Sequence, residues 1–252
     1  IMHAYKCITA YEGTRYNGWQ KQKNTSNTIQ EKLEEILSRL LDTPIEIAGS
    51  GRTDAGVHAL GQVFHFHTEQ DLLADITSEQ FLKELNHYLP KDIRVLSIEE
   101  CSLRFHSRLN AVSKTYQYRI DTSSYGNLFI RNTAHHIPTT LRIEDMKKGA
   151  GYLLGTHDYK SFCSNKRMKK STVRTITSID IEYNAAQELL TITYSGNGFL
   201  YNMVRILSGT LIEIGLGKRN AEELPSILEG CNRGLSGHTA PANGLFLIRV
   251  DY

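Results

Sequence analysis

Residues 48–61 read AGSGRTDAGVHALG and hold one carboxylate, Asp54, among the glycines Gly49, Gly51, Gly56 and Gly61. Glycine lets the backbone approach a ligand closely and take positive φ. The stretch lies between Ile45 to Ala48, which reads as a strand, and Gln62 to His67, whose alternation reads as a more definite one. An aspartate in such a turn, with Arg52 two residues before it, is a carboxylate presented for chemistry. Two other readings fit the spacing. In one, Asp54 only caps backbone amides in a tight turn. In the other, the loop cradles phosphate, but neither G-x-G-x-x-G nor G-x-x-x-x-G-K-[ST] fits. Gly217-Lys218-Arg219 fails the second pattern as well, because Ile212 and Arg219 stand where it needs glycine and Ser/Thr.

Other clusters bear on binding. Lys160, Lys166, Arg167, Lys169, Lys170 and Arg174 form a basic run, with no acidic residue between Asp158 and Asp180. It reads either as a solvated face or as an arm that grips a phosphate backbone, giving salt-dependent affinity without reading bases. Arg15, Lys21 and Lys23, near Trp19, make a second candidate surface. Trp19 itself fits a core position, a stacking platform or an interface anchor. His58, His65 and His67 invite a metal. No cysteine or carboxylate stands at ligand spacing, so none is expected. Cys7, Cys101, Cys163 and Cys231 form no CxxC pair and read as free thiols of a reducing cytoplasm.

The elements that must position these groups follow from periodicity. The chain has 252 residues and 40% hydrophobic content, enough for one compact body or two fused lobes. The net charge of +2 sets up no global field that announces nucleic acid, so any such binding surface must come from clustering of the 29 basic residues. Strands are expected at Tyr5 to Tyr11 and Ile93 to Ile98. Thr28 opens a helix, with Glu31 completing a capping-box pattern and Ile29, Leu33, Ile36, Leu37 and Leu40 on one face. A second helix runs from Thr77 to Leu89 and stops at Pro90. The second half repeats the order: strand Thr115 to Ile120, helix Ile143 to Leu154, a hairpin of Ile176 to Tyr183 with Leu189 to Tyr194, helix Val204 to Leu216, and strand Leu245 to Val250. This is an α+β chain of two lobes whose antiparallel sheets are expected to join. The boundary is expected near Cys101 to Arg108. The first residues, Ile1 to Lys6, lack the apolar core of a secretory leader, and no apolar run is long enough to span a membrane.

Five segments carry a more specific signal. Gly51-Arg52-Thr53-Asp54-Ala55-Gly56-Val57-His58-Ala59 resembles the signature of the TruA family of tRNA pseudouridine synthases. Tyr11 to Gln20 (YEGTRYNGWQ), Phe105 to Arg108 with Lys114 to Tyr118 (FHSR and KTYQY), Phe199 to Arg205 (FLYNMVR) and Gly244 to Tyr252 (GLFLIRVDY) resemble four more of its motifs, in order.

The resemblance implies the pseudouridine synthase fold: class α+β, two similar lobes whose antiparallel or mixed sheets join into one central sheet flanked by helices and loops. Residues 1–104 are then an N-terminal lobe with the aspartate loop, and residues 105–252 a C-terminal lobe with the tyrosine and arginine motifs. It implies conversion of uridine to pseudouridine in the anticodon stem-loop of tRNA, at positions 38 to 40, by a cytoplasmic homodimer. No metal, nucleotide cofactor or membrane is involved.

Asp54 matches the catalytic carboxylate, and its ionised form needs a cation. Arg205 matches that partner; spacing alone favours instead a helix-start arginine paired with some surface acid. Tyr116 matches the tyrosine that stacks on the base and helps remove the C5 proton. Spacing cannot choose between Tyr116 and Tyr118, and the resemblance favours Tyr116. A uridine in a stem must flip out. Arg52 is the candidate to hold it, or else makes a salt bridge on its own loop. Lys166, Arg167, Lys169 and Lys170 are the candidate RNA contacts. Residues 164–170 depart from the family pattern, which leaves open other tRNA positions or ribosomal RNA. A non-catalytic RNA-binding protein on the same scaffold is a separate alternative, whose mark would be loss of Asp54, which is present.

Overall fold

The computed structural model describes residues 1–165 and 167–252. In chain order the strands and α-helices are β1 (His3–Tyr11), α1 (Ile29–Leu40), β2 (Ala48–Gly49), β3 (His58–Thr68), α2 (Ser78–Tyr88), β4 (Ile93–Cys101), β5 (Ser113–Asp121), β6 (His135–His136), α3 (Ile143–Tyr152), β7 (Gly155–Asp158), β8 (Val173–Asn184), β9 (Leu189–Gly196), α4 (Met203–Gly215), α5 (Leu224–Gly230) and β10 (Leu245–Asp251). The chain is therefore α+β. Its contacts divide it into two units, residues 1–112 with 246–252, and residues 113–245.

In the first unit the strand order is β4-β1-β3-β10, with β2 beside β3. β1 runs antiparallel to β3 and β4, while β10 returns parallel to β3, with Phe246 opposite His58. The β1–β3 register puts Tyr5 opposite Phe66 and Cys7 opposite Phe64. These four are buried, as are Ile29, Leu33 and Leu37 of α1 and Phe81 and Leu85 of α2. The alternate residues Lys6 and His65 face the other way. There the His65 ring meets Ser107 at 3.0 Å, and Phe105 and Tyr252, 5.0 Å apart, lie beneath the Lys6 ammonium.

Capping differs between the two helices. Thr28 accepts the Glu31 amide at 3.2 Å, but the Glu31 carboxylate turns to Lys21, 3.6 Å away, instead of closing the box. At α2 the box is complete: Thr77 and Gln80 satisfy each other's amides. The strand expected at Ile45 to Ala48 shrinks to Ala48–Gly49 for a physical reason. Side chains replace ladder partners there, since the Ile45 amide donates to Ser38 and the Ile47 amide to the buried Glu34 carboxylate. β3 begins four residues before the expected Gln62, because Ala59 already pairs with Tyr11.

In the second unit the strand order is β5-β9-β8-β7, with β6 parallel to β5. β8 and β9 form the expected hairpin, and the β5–β9 register sets Tyr116 opposite Tyr194 and Tyr118 opposite Ile192. One sheet face buries Tyr118, Ile120, Leu190, Ile192 and Tyr194. α4 is buried nearly all round, and its Ser208 hydroxyl meets the Tyr194 hydroxyl at 2.9 Å. Gly149 lets α3 lie against α4, because a Cβ there would come within 3.0–3.2 Å of Ile214, Leu224 and Leu211. α5, with proline in its first turn, and β7 are too short to show a period in the sequence. Among the described residues no helix is long and apolar enough to cross a membrane.

Candidate active site

Asp54 sits half-buried at the head of a tight turn, closed by the Val57 amide donating to the Asp54 carbonyl at 3.1 Å, with Gly56 at φ +81°. The turn is held from outside by residues 11–19. The Trp19 amide donates to the Thr53 carbonyl at 3.0 Å, and the Tyr11 and Thr53 hydroxyls meet at 2.8 Å. The Gly13 amide donates to His58 Nδ1 at 2.9 Å. Two glycines make this approach possible. A Cβ on Gly13 would collide with the Val57 carbonyl, and one on Gly18, at φ +86°, would lie 2.7 Å from the Thr53 oxygen. On the other side the Ser50 hydroxyl donates to Gln62 at 2.6 Å, and the Gln62 amide holds the Gly51 carbonyl. The carboxylate is thus carried on a main chain fixed before and after it. Sequence reasoning attached no role to Tyr11, Gly13 or Gly18; two glycines, two and seven residues after a tyrosine, are a weak signal by themselves.

Arg52 is exposed and reaches Gln20 at 3.3 Å; among the described residues it forms no salt bridge. Trp19 is a core residue, 1% exposed, packed against Gly49 and near Tyr11 and Phe64. The surface expected around it is largely neutralised. Arg15 pairs with Asp92 at 2.7 Å, and Lys21 with Glu34 at 3.2 Å. The three histidines have separate uses. His58 accepts the Gly13 amide, His65 is held by Ser107, and His67 lies edge-on to His65 on the exposed side. Burial, with His106 and His67 nearby, pushes His65 down to about 4.

In the second unit, Arg205 occupies the first turn of α4, after Asn202 in a left-handed conformation at φ +59°. Its Nε donates to the Ala240 carbonyl at 2.8 Å, its Nη1 to Asn202 at 3.2 Å, and its own carbonyl accepts the Ala240 amide at 3.0 Å. Gly209, one turn on, lets residues 238–240 lie against the helix, since a Cβ there would strike the His238 carbonyl. The guanidinium is therefore aimed, which a solvated helix-start arginine is not.

Tyr116 and Tyr118 share a face of β5 but differ in use. Tyr118 is fully buried and donates to the Pro241 carbonyl at 2.8 Å; burial pushes its hydroxyl up, and Arg205 pulls the other way. Tyr116 is half-buried, edge-on to Phe199 at 5.2 Å. Of the two, Tyr116 is the one that is not fully buried. In the basic run Arg167, Lys169 and Lys170 are exposed. Lys166, expected to act with them, lies outside the described residues. Lys160 is exposed, and Arg174 folds back on the carbonyls of Ser171 and Val173.

An α+β chain with a presented aspartate on a glycine-clamped turn is matched by the family model for tRNA pseudouridine synthase over residues 7–110 and 150–252. The chain belongs to that family and is an isomerase of the pseudouridine synthase type. Within the family it is similar to tRNA pseudouridine synthase A 2 of Bacillus cereus, at 43% identity, and to tRNA pseudouridine synthase A of Acetivibrio thermocellus, at 41%, each over 251 residues and 100% of both chains. A third relative, tRNA pseudouridine synthase A of Bacillus sp. (strain KSM-64), is 44% identical over 100% of both chains. Asp54 and Arg205 lie inside the spans matched by the family model; Tyr116 lies between them, where the full-length relatives cover the chain.

Proposed function

We propose that the chain converts uridine to pseudouridine at positions 38 to 40 of the anticodon stem-loop of tRNA, acting as a homodimer in the cytoplasm. The observation that carries this reading is full-length similarity to tRNA pseudouridine synthase A proteins, with Asp54 in the matched signature. The C1′–N1 bond breaks, the uracil turns, and a C1′–C5 bond forms. C5 gives up a proton and N1 gains one, so the composition of the RNA does not change and no oxidant, reductant or co-reactant is required.

Asp54 supplies the ionised carboxylate, whether it attacks C1′, attacks C6 or takes a 2′-proton. Unlike a glycosidase, which usually needs two carboxyl groups, the isomerisation activates no water. Arg205 pairs with Asp54 to keep it charged and oriented. Tyr116 stacks on the flipped base and assists loss of the C5 proton. Arg52 holds the phosphate of the flipped nucleotide, whose extrusion costs a few kcal/mol. The test is to incubate the protein separately with unmodified tRNA and ribosomal RNA and map pseudouridine at base resolution. Modification confined to tRNA positions 38 to 40 is expected. Modification elsewhere in tRNA, or in ribosomal RNA alone, sinks the positional assignment, and none in either pool sinks the catalytic one.

The basic run serves as an arm on the tRNA backbone. Replacing Lys166, Arg167, Lys169 and Lys170 with alanine is expected to weaken binding and to lower the slope of log affinity against log salt by up to about three to four units. The catalytic rate at saturating tRNA stays near that of the parent. An unchanged salt slope removes the arm from the interface.

A further inference from the structure

The segment that clamps the Asp54 turn has little regular structure of its own. Between β1 and α1 it contains one 3-10 turn, Gly13–Arg15. An irregular strap keeps its position only if something outside it does the holding. For residues 12–16 that is Asp92, in the link between α2 and β4, whereas the Gly18 and Trp19 carbonyls accept the Ile29 and Gln30 amides of α1 at 3.1 and 3.0 Å. One carboxylate oxygen of Asp92 accepts the Tyr16 hydroxyl at 2.6 Å; the other accepts Arg15 Nε and Nη2 at 2.9 and 2.7 Å. The Asp92 carbonyl also accepts the Glu12 amide at 3.0 Å. Tyr16 is 5% exposed, so its ring is packed as well as bonded. Asp92 thus fixes residues 12, 15 and 16, immediately around Gly13, which seats against Val57 and His58, and before Gly18 and Trp19, which seat against Thr53 and Asp54.

We propose that Asp92 and Tyr16 are positioning residues for the reaction, acting on the Asp54 carboxylate through the 12–19 strap without touching the substrate. The inference rests on Asp54 being the catalytic carboxylate. Misplacing a reacting group by about 1 Å can cost on the order of a hundredfold in rate. Within residues 12–19 Asp92 is the carboxylate anchor from outside among the described residues; Lys21, just beyond, pairs with Glu34 and Glu31. Asn at position 92 keeps an acceptor for Tyr16 but turns a donor toward the Arg15 guanidinium, so it disrupts the strap with little change in volume. Tyr16→Phe removes only the hydroxyl.

The experiment measures single-turnover rate and tRNA affinity for Asp92→Asn and Tyr16→Phe in the full chain. It includes Asp54→Asn and a stability control, Leu37→Val, in the buried face of α1. Melting temperatures are recorded for all, and rates are compared well below them. The expected result is a loss of roughly ten- to hundredfold in rate for Asp92→Asn and a smaller loss for Tyr16→Phe, with affinity within about twofold. Leu37→Val keeps the parental rate despite a lowered melting temperature. If Asp54→Asn is inactive while Asp92→Asn and Tyr16→Phe react at the parental rate, the positioning role is wrong and the reading of Asp54 stands. Rate losses that merely follow melting temperature, Leu37→Val included, also overturn it. An active Asp54→Asn overturns both.

Discussion

Asp54→Asn is expected to abolish pseudouridine formation, by at least ~10³-fold in single-turnover rate, while tRNA affinity stays within about twofold. The substitution is nearly isosteric; it removes the charge and replaces one acceptor oxygen with an NH2 donor. Each of the three acts open to the carboxylate needs its ionised form, and an amide performs none of them. The fold is expected to survive, because the turn is closed by main-chain bonds: Val57 to the Asp54 carbonyl, and Trp19 to the Thr53 carbonyl. The change in stability should fall within about 1 kcal/mol. Rate and affinity are read from single-turnover assays and filter binding. An asparagine variant with more than a few per cent of the parental rate would mean that another group does the chemistry.

Arg205→Ala is expected to slow turnover by ~10² to 10³-fold with affinity changed no more than about threefold. The guanidinium is anchored at two points, Nε on the Ala240 carbonyl and Nη1 on Asn202, and the Arg205 main-chain carbonyl also accepts the Ala240 amide. Such fixing leaves the rest of the fork pointing in one direction. Lysine has no Nε–H at that place and no planar fork, so Arg205→Lys should recover little of the rate although it keeps the charge. Circular dichroism should show both variants folded. If rate and affinity fall together by the same factor, Arg205 is an RNA-binding residue and its pairing with Asp54 is wrong. If lysine restores the parental rate, charge alone matters and the orientation argument fails.

Much of this was legible in the sequence because the relevant patterns are local. Thr28 and Thr77 start helices by satisfying amides two or three residues on, and such caps can be read from neighbours. The long strands and the β8–β9 hairpin alternate over enough residues to show their period. The elements that were not legible depend on distant partners. Ile45 and Ile47 look like a strand, but their amides go to side chains on α1, which no local pattern encodes. β10 is legible as a strand, but its pairing with β3 through Phe246 and His58 is a long-range register that no local pattern encodes.

The same division holds for the candidate site. The residue types of Asp54, Tyr116 and Arg205, and their order, were visible through resemblance to a family. Their local settings were not. That Tyr118 is committed to the Pro241 carbonyl while Tyr116 stays half-buried needed the strand placed against residues 241 and 199. Trp19 was ambiguous because a tryptophan suits core and surface alike; its burial against Gly49 resolved it. Arg15 and Lys21 read as free cations until their carboxylate partners, Asp92 and Glu34, were brought beside them by the fold.

The most direct test of the central claim uses tRNA carrying tritium at C5 of uridine, incubated with the parental protein and with Asp54→Asn, without added metal or cofactor. Isomerisation through C5 predicts that the parental protein liberates tritium into water in step with new pseudouridine, with the RNA intact and its mass otherwise unchanged, and that the asparagine variant liberates none. Tritium retained by the parental reaction, or liberated equally by the variant, would contradict a carboxylate-driven exchange of the glycosidic bond from N1 to C5.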